Sequence, residues 1–209
     1  MAKNLEPKCK QCRRIGEKLM LKGARCSTPK CAMVKRNYPP GIHGAKGKKR
    51  LTGYGEQLQE KQKAKKIYNL LEKQFKLTFE KAKKAKGDVG ENFLKMLETR
   101  FDNVIVSLGF AESTSMARQL INHGHFTING KKVNIPSCQL KQGDIVKIKK
   151  SKINFKHFAG LKEKLKNFDI PGWLFLEKED LSGKVLHTPG MADIKTNINI
   201  HMIVEYYSK

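Results

Sequence analysis

The sequence predicts an α+β protein. Its first domain is mostly helical and opens on an N-terminal four-cysteine metal knuckle, and its second holds a small helix-and-hairpin module with short antiparallel strands. Three observations predict this. Cys9, Cys12, Cys26 and Cys31 form two close pairs, C-x₂-C and C-x₄-C, at the head of the chain. The stretch from Glu56 to about Lys86 is rich in Gln, Glu, Lys and Leu, a helical composition. Asn129-Gly130 lies between short strand-like runs, and this pair favours a type I′ hairpin turn because both of its central residues need positive φ.

At the head, two close cysteine pairs separated by a short loop place four thiolates at the corners of one tetrahedron, as a structural Zn²⁺ requires. Zinc is favoured, although four thiolates hold an iron–sulfur cluster as well, and the metal-free alternative is four packed, reduced thiols. A closed four-thiolate site leaves no open position for catalysis. Metal binding supplies on the order of 10 kcal/mol of folding free energy, which suits residues 1–35 because they have few apolar side chains. Cys138 stands alone as a small thiol.

After the knuckle, Tyr38-Pro39-Pro40-Gly41-Ile42-His43-Gly44 forbids a continuous helix or strand, so residues 1–50 read as mostly irregular. In the helical stretch, Leu58, Ile67, Leu70, Leu71, Phe75 and Phe79 supply an apolar stripe. Gly87 and Gly90 break it, and Asp88 caps a further helix with Phe93, Leu94 and Leu97. Phe101, Val104, Ile105 and Leu108 predict a short helix ended by Gly109. Ser113 then caps another, whose Ala117, Leu120 and Ile121 share one face. Phe126–Ile128 and Lys131–Val133 flank the Asn-Gly turn, and Gly143-Asp144 precedes a strand over Ile145–Ile148. Lys156–Phe168 is expected to be helical, with short strands at Trp173–Leu176 and Lys184–Leu186. The expected divisions are 1–45 for the basic four-cysteine extension, 46–98 for a helical domain, 99–163 for the helix-and-hairpin module, and 164–209 for C-terminal strands and a tail.

Charge selects the partner. The chain has 43 Lys+Arg against 19 Asp+Glu, a net +24, and a pI near 9.9. A polyanion is implied. A membrane surface would call for a basic amphipathic helix with a broad apolar face, whereas the basic residues here span motifs of several structural types. Apolar runs such as Val104-Ile105-Val106 fall far short of the roughly 18 residues of a membrane span. Residues 1–14 lack the apolar core of a secretory signal, so a chain used as made in a reducing cytoplasm is expected. Nucleic acid is the implied partner.

These motifs also carry a resemblance. Arg100-Phe101-Asp102-Asn103-Val104, Leu108-Gly109-Phe110-Ala111, Ala117-Arg118-Gln119-Leu120 and His123-Gly124-His125-Phe126-Thr127-Ile128-Asn129-Gly130 resemble the RNA-binding domain of the small-ribosomal-subunit protein four family. The four-cysteine head, Tyr38-Pro39-Pro40-Gly41 with His43-Gly44, Glu60-Lys61-Gln62-Lys63 with Ile67-Tyr68, and Ile203-Val204-Glu205-Tyr206-Tyr207-Ser208 resemble the bacterial members of that family nearly end to end. The resemblance implies a structural constituent of the small ribosomal subunit, present as a single copy and without catalytic activity. It implies direct binding to the 5′ domain of 16S rRNA, nucleation of 30S assembly, and a tail that returns to the first domain. It also implies a place beside ribosomal protein five and the mRNA entry channel, with an effect on decoding accuracy.

The candidate contacts divide into two sets. The metal set is Cys9, Cys12, Cys26 and Cys31. The RNA set is Arg13, Arg14, Arg25, Arg36, Tyr38, His43, Lys48, Lys49, Arg50, Lys61, Lys63, Lys65, Lys66, Arg100, Arg118, His123, Lys131 and Lys132. Any single lysine is more often a solvated surface group; together such residues neutralise phosphates and release counterions. Arginines weigh more because their planar fork engages phosphate bidentately. Arg118, His123, Lys131 and Lys132 are expected to form a helix-plus-hairpin surface that reads RNA by shape. Tyr38 stacks on a base or, equally, packs on its prolines. The pair His123 and His125 flanks a glycine and lacks helical metal-ligand spacing. Thr114-Ser115 stands where many family members carry arginines, which weakens that edge. An RNA-modifying enzyme such as a pseudouridine synthase needs a separate catalytic domain with a placed carboxylate, and Asp102 reads as structural. A zinc-dependent DNA-binding regulator needs a recognition helix, which is not evident.

Overall fold

The computed structural model describes residues 4–47, 50–153, 155, 157–194 and 196–208. The chain divides into two compact units, one comprising residues 1–93 with 196–209 and the other residues 94–195. Among the described residues no helix is long and apolar enough to cross a membrane.

In the first unit the head is less irregular than its composition implies. It holds α1 (Lys8–Ile15) and the single turns α2 (Ala24–Ser27) and α3 (Ala32–Lys35). Pro7 and Gly16 bound α1 rather than abolish it, and the Gly16 N–H closes the helix on the Cys12 carbonyl at 2.7 Å. Cys12, Ile15, Leu19, Leu21, Cys31 and Met33 make a small core, with Ile67 packed against it.

The helix-forming stretch divides into α4 (Gly53–Ile67) and α5 (Glu72–Lys84). The break falls at Asn69, which takes a left-handed φ of 52°, a conformation that asparagine tolerates better than most residues. Next comes α6 (Val89–Glu98), which starts where Asp88 Oδ1 accepts the Glu91 N–H at 2.7 Å. Phe93 meets Phe75 and Phe79 edge-on at 5.0 and 5.4 Å. The tail is a helix, Ile200–Ser208. Ile200, Ile203 and Tyr207 recur at helical spacing; the two isoleucines are buried, and Tyr207 stacks on Phe79 at 4.7 Å.

The second unit begins within α6, at Leu94, and continues with α7 (Phe101–Ser107) and α8 (Thr114–Asn122), the latter capped by Ser113 Oγ on the Met116 N–H at 3.4 Å. Five antiparallel strands follow: β1 (Phe126–Ile128), β2 (Lys131–Lys132), β3 (Ile145–Ile148), β4 (Leu174–Glu177) and β5 (Ser182–Val185). Their spatial order is β2-β1-β3-β5-β4. Asn129 and Gly130 take φ of 50° and 79°, as the hairpin turn requires. The stretch expected to be helical over Lys156–Phe168 holds only α9 (Leu161–Lys166), because Gly160 in the left-handed region starts the helix late; Lys156 itself lies outside the described residues. The expected division after residue 163 falls inside this unit, since β5 pairs with β3 and completes the sheet. Phe101, Val104, Ile105, Leu108, Phe126 and Trp173 fill the core between helices and sheet.

Candidate nucleic-acid interface

The cysteine head organises the basic residues around it. On α1, Cys9 and Cys12 stand one turn apart; Cys26 lies on α2, and Cys31 caps α3. All four line one cavity of about 20 Å³, together with Leu21 and Met33. None is in a disulfide. The Lys22 N–H points at Cys26 Sγ, 3.4 Å away. Burial pushes the Cys12 thiol above its ordinary pKa, against a backbone hydrogen bond at Leu19 that pulls it down, and the sulfurs of Cys26, Cys9 and Cys31 add to the rise. A cation among four such sulfurs would reverse that repulsion. Four thiols with N–H groups beside two of them are the donor chemistry of a thiolate-bound metal, but their side chains are not gathered into its geometry. Among the described residues no group of three or more His, Cys, Asp or Glu side chains is arranged to hold one.

Around the head, Arg14, Arg25, Arg36, His43 and Arg50 are exposed. Arg13 is engaged locally. Its Nε donates to the Tyr38 carbonyl at 2.9 Å, Nη2 to that of Pro39 at 3.3 Å, and the guanidinium lies 4.8 Å over the Tyr38 ring. Arg13 therefore holds the Tyr38-Pro39 backbone on α1, and the Tyr38 ring, exposed on its other side, packs against the guanidinium. Gly44 lets this loop close, since a Cβ there would strike the Pro39 carbonyl. Lys48 and Lys49 lie outside the described residues.

The lysines of α4 face inward. Lys61 and Lys63 are each 4 % exposed. Lys61 Nζ donates to Glu72 Oε1 at 2.7 Å, and Lys65 Nζ to Glu72 Oε2 at 2.7 Å. Lys63 pairs with Glu17 at 2.8 Å and Glu60 at 3.3 Å. Partial burial alone would raise the Glu72 carboxyl, but the two lysine hydrogen bonds outweigh it and bring its pKa down to about 2. Lys61 also lies 4.8 Å over the Tyr206 ring, and Tyr207 Oη donates to Glu72 Oε1 at 3.2 Å. Thus Lys61, Lys63 and Lys65 knit the helical unit together and do not present free charges. Lys66 differs: it is 9 % exposed, and burial followed by the neighbouring Arg14 guanidinium pushes its amine down.

In the second unit Arg100 and Arg118 also have internal partners. Arg100 donates from Nε and Nη2 to both oxygens of Asp102 at 3.1 Å. Arg118 Nε reaches Asp102 Oδ2 at 2.7 Å. All three residues are buried, so Arg100 and Arg118 do not offer the open forks that the sequence led one to expect. By contrast, His123, Lys131 and Lys132 are exposed. His123 caps α8, Gly124 follows at φ 69°, and the Lys132 side chain lies over Gly124. The helix end and the hairpin thereby form one basic surface. Thr114 and Ser115 lie half-buried in the first turn of α8.

Lys147 and, as a second set, a row of lysines on α5 were missed from the sequence. Lys147 and Lys132 both pair opposite Thr127 on the outer face of the sheet, a juxtaposition set by cross-strand register. Lys73, Lys76, Lys83 and Lys84 are exposed on α5, opposite buried Phe75, Phe79 and Ala82. The helical period of those apolar residues is the signal that would have found the second set.

Comparison with known proteins covers the chain end to end. The family described as ribosomal protein S4/S9 N-terminal domain matches residues 3–98, and the S4 domain matches residues 99–146. Over the full length of both chains, the sequence is 51% identical to small ribosomal subunit protein uS4 of Caldicellulosiruptor saccharolyticus. It is 49% identical to that of Heliobacterium modesticaldum, again over both full lengths, and 47% identical to that of Clostridioides difficile, with both chains wholly covered.

Proposed function

The chain belongs to the ribosomal protein S4 family, and on that premise we propose that it binds the 5′ domain of 16S rRNA directly and nucleates assembly of the 30S subunit. It is a structural, rRNA-binding protein of the small subunit of the cytoplasmic ribosome and not an enzyme. The observation that carries the binding mode is the surface where His123 at the end of α8 meets Lys131 and Lys132 of the hairpin. These groups, with Lys147 beside them, engage phosphates, and the rigid helix–hairpin frame supplies the shape selection. Arg14, Arg25, Arg36, His43 and Arg50 add a second basic field around the head. A salt titration tests this: changing Lys131 and Lys132 together to alanine should lower the rRNA affinity and reduce the salt slope by about 1.4, at about 0.7 for each phosphate no longer neutralised. An unchanged slope would mean that neither lysine touches phosphate.

Cys9, Cys12, Cys26 and Cys31 would hold one structural metal ion, zinc in preference to an iron–sulfur cluster. Bound there, it would cross-link α1, α2 and α3 and supply folding energy that the small core of the head lacks. Contact with ribosomal protein five, a place at the mRNA entry channel with an effect on decoding accuracy, and a single copy per subunit complete the reading, all on the strength of family membership.

A further inference from the structure

We infer that a cavity in the helical unit receives a single unpaired nucleotide of the bound RNA, with Lys66 and Arg14 holding its phosphate. This rests on the RNA-binding reading and deepens it. The cavity measures about 640 Å³, within the roughly 300–1,000 Å³ of small-ligand sites. Its apolar wall is formed by Ile15, Leu51, Leu58, Leu70 and Leu71, and Asn4 and Gln62 bring side-chain amides to the same lining.

The cationic side is specific. Arg14, Lys65 and Lys66 line the cavity with Glu6 and Glu72. Glu72 is already claimed by Lys61 and Lys65 at 2.7 Å each. Glu6 lies 3.5 Å from the Gln11 amide. Lys66 is nine-tenths buried, yet among the described residues its amine has no hydrogen-bond or ion-pair partner, and Arg14 has none either. The amine keeps access to solvent, with Glu6 on the same lining, so a phosphate entering beside it and Arg14 can reach both cations and form charge-assisted hydrogen bonds with them.

Apolar walls and amides opposite two free cations match a nucleotide: a base against leucines, its edge at the amides, its phosphate at Lys66 and Arg14. A base inside a duplex cannot enter such a cavity, whereas an unpaired base can be splayed out and bound. The same chemistry belongs to a free nucleotide, so the test separates the two sources.

The test compares the full-length protein on two short RNA hairpins, one fully paired and one carrying a single 2-aminopurine bulge, with adenosine 5′-monophosphate as a third arm. The bulged hairpin should bind about tenfold more tightly, with a change in 2-aminopurine fluorescence. Lys66→Met and Arg14→Met should each lower binding to the bulged hairpin by more than binding to the paired one and so narrow that preference, while Lys83→Met on α5 should lower both RNAs by one common factor. Because Arg14 is exposed, its variant stands even if Lys66→Met fails to fold. Equal wild-type affinity for both hairpins would overturn the nucleotide site and leave general RNA binding intact. Equal losses on both RNAs in the Lys66 and Arg14 variants would overturn it as well. Monophosphate binding as tight as that of the bulged hairpin would overturn the RNA-linked assignment. Binding to neither RNA would overturn the RNA reading itself and this inference with it.

Discussion

Asp102 Oδ2 accepts a 2.7 Å hydrogen bond from Arg118 Nε across sixteen residues of sequence, with both residues buried. The same carboxylate takes the Arg100 fork, so one buried anion holds two cations and ties the start of α7 to α8. Removing one member of such a group leaves uncompensated charge, which costs about 3–5 kcal/mol. Asp102→Ala should destabilise the second unit by that order, as measured by urea denaturation. Arg118→Met should lower stability and leave the salt slope of RNA binding unchanged; a reduced slope would mean that Arg118 reaches phosphate after all.

Acid should loosen the helical unit through Glu72. Its folded pKa of about 2 lies below the ordinary 4.5, so the folded state prefers the ionised form. The stabilisation is present above the unfolded value and is lost as pH falls from about 4.5 toward 2. Glu72→Gln should lower stability at neutral pH and flatten this acid limb in a thermal melt. A variant with the wild-type pH dependence would show that the Lys61–Glu72–Lys65 cluster is not coupled to folding.

His125 sets a second pH limb, this one in the sheet unit. It is 4 % exposed, and its Nδ1 has no hydrogen-bond partner among the described residues. Burial first, then Lys152, His123 and His157, push its pKa below the ordinary 6.5. The rings of Phe155 and Phe158 pack on it at 4.8 and 5.8 Å. The unfolded chain binds the proton more readily, so stability is held above pH 6.5 and declines as pH falls below it. His125→Leu should keep the packing and reduce the decline below pH 6.5. An unaltered profile would assign that limb to other groups.

Cys9→Ser should lower the metal content of the purified protein and speed proteolysis within residues 1–35, and a strong chelator should do the same to the unaltered chain. Unchanged proteolysis after both treatments would mean that packing of Ile15, Leu19, Leu21 and Met33 suffices for the head.

What was legible in the sequence was local. The Asn129-Gly130 turn, the Ser113 and Asp88 caps and the stop at Gly109 each depend on residues a few positions apart, and all of them occur. Lys61, Lys63 and Lys65 read from the sequence as RNA contacts, whereas the structure gives them internal partners from elsewhere in the chain: Glu72 from the next helix, Glu17 from beyond α1, and Tyr206 from the tail. Composition cannot tell an inward lysine from an outward one when the counter-charge is distant in sequence. The join of β5 to β3 escaped notice for the same reason, since strand pairing between segments so far apart in the chain leaves no local mark. The exposed grouping of His123, Lys131 and Lys132 was legible because the turn that brings them together is itself local.

Specific recognition of rRNA is tested most directly by binding of the purified protein to the 5′ domain of 16S rRNA, beside an unrelated RNA of equal length, across a salt titration. Counterion release alone weakens both RNAs in parallel as salt rises. The rRNA should remain preferred at high salt, because the helix–hairpin frame and the head select shape as well as charge. Two curves that collapse together would contradict that selection and reduce the basic surface to a general attraction for polyanions.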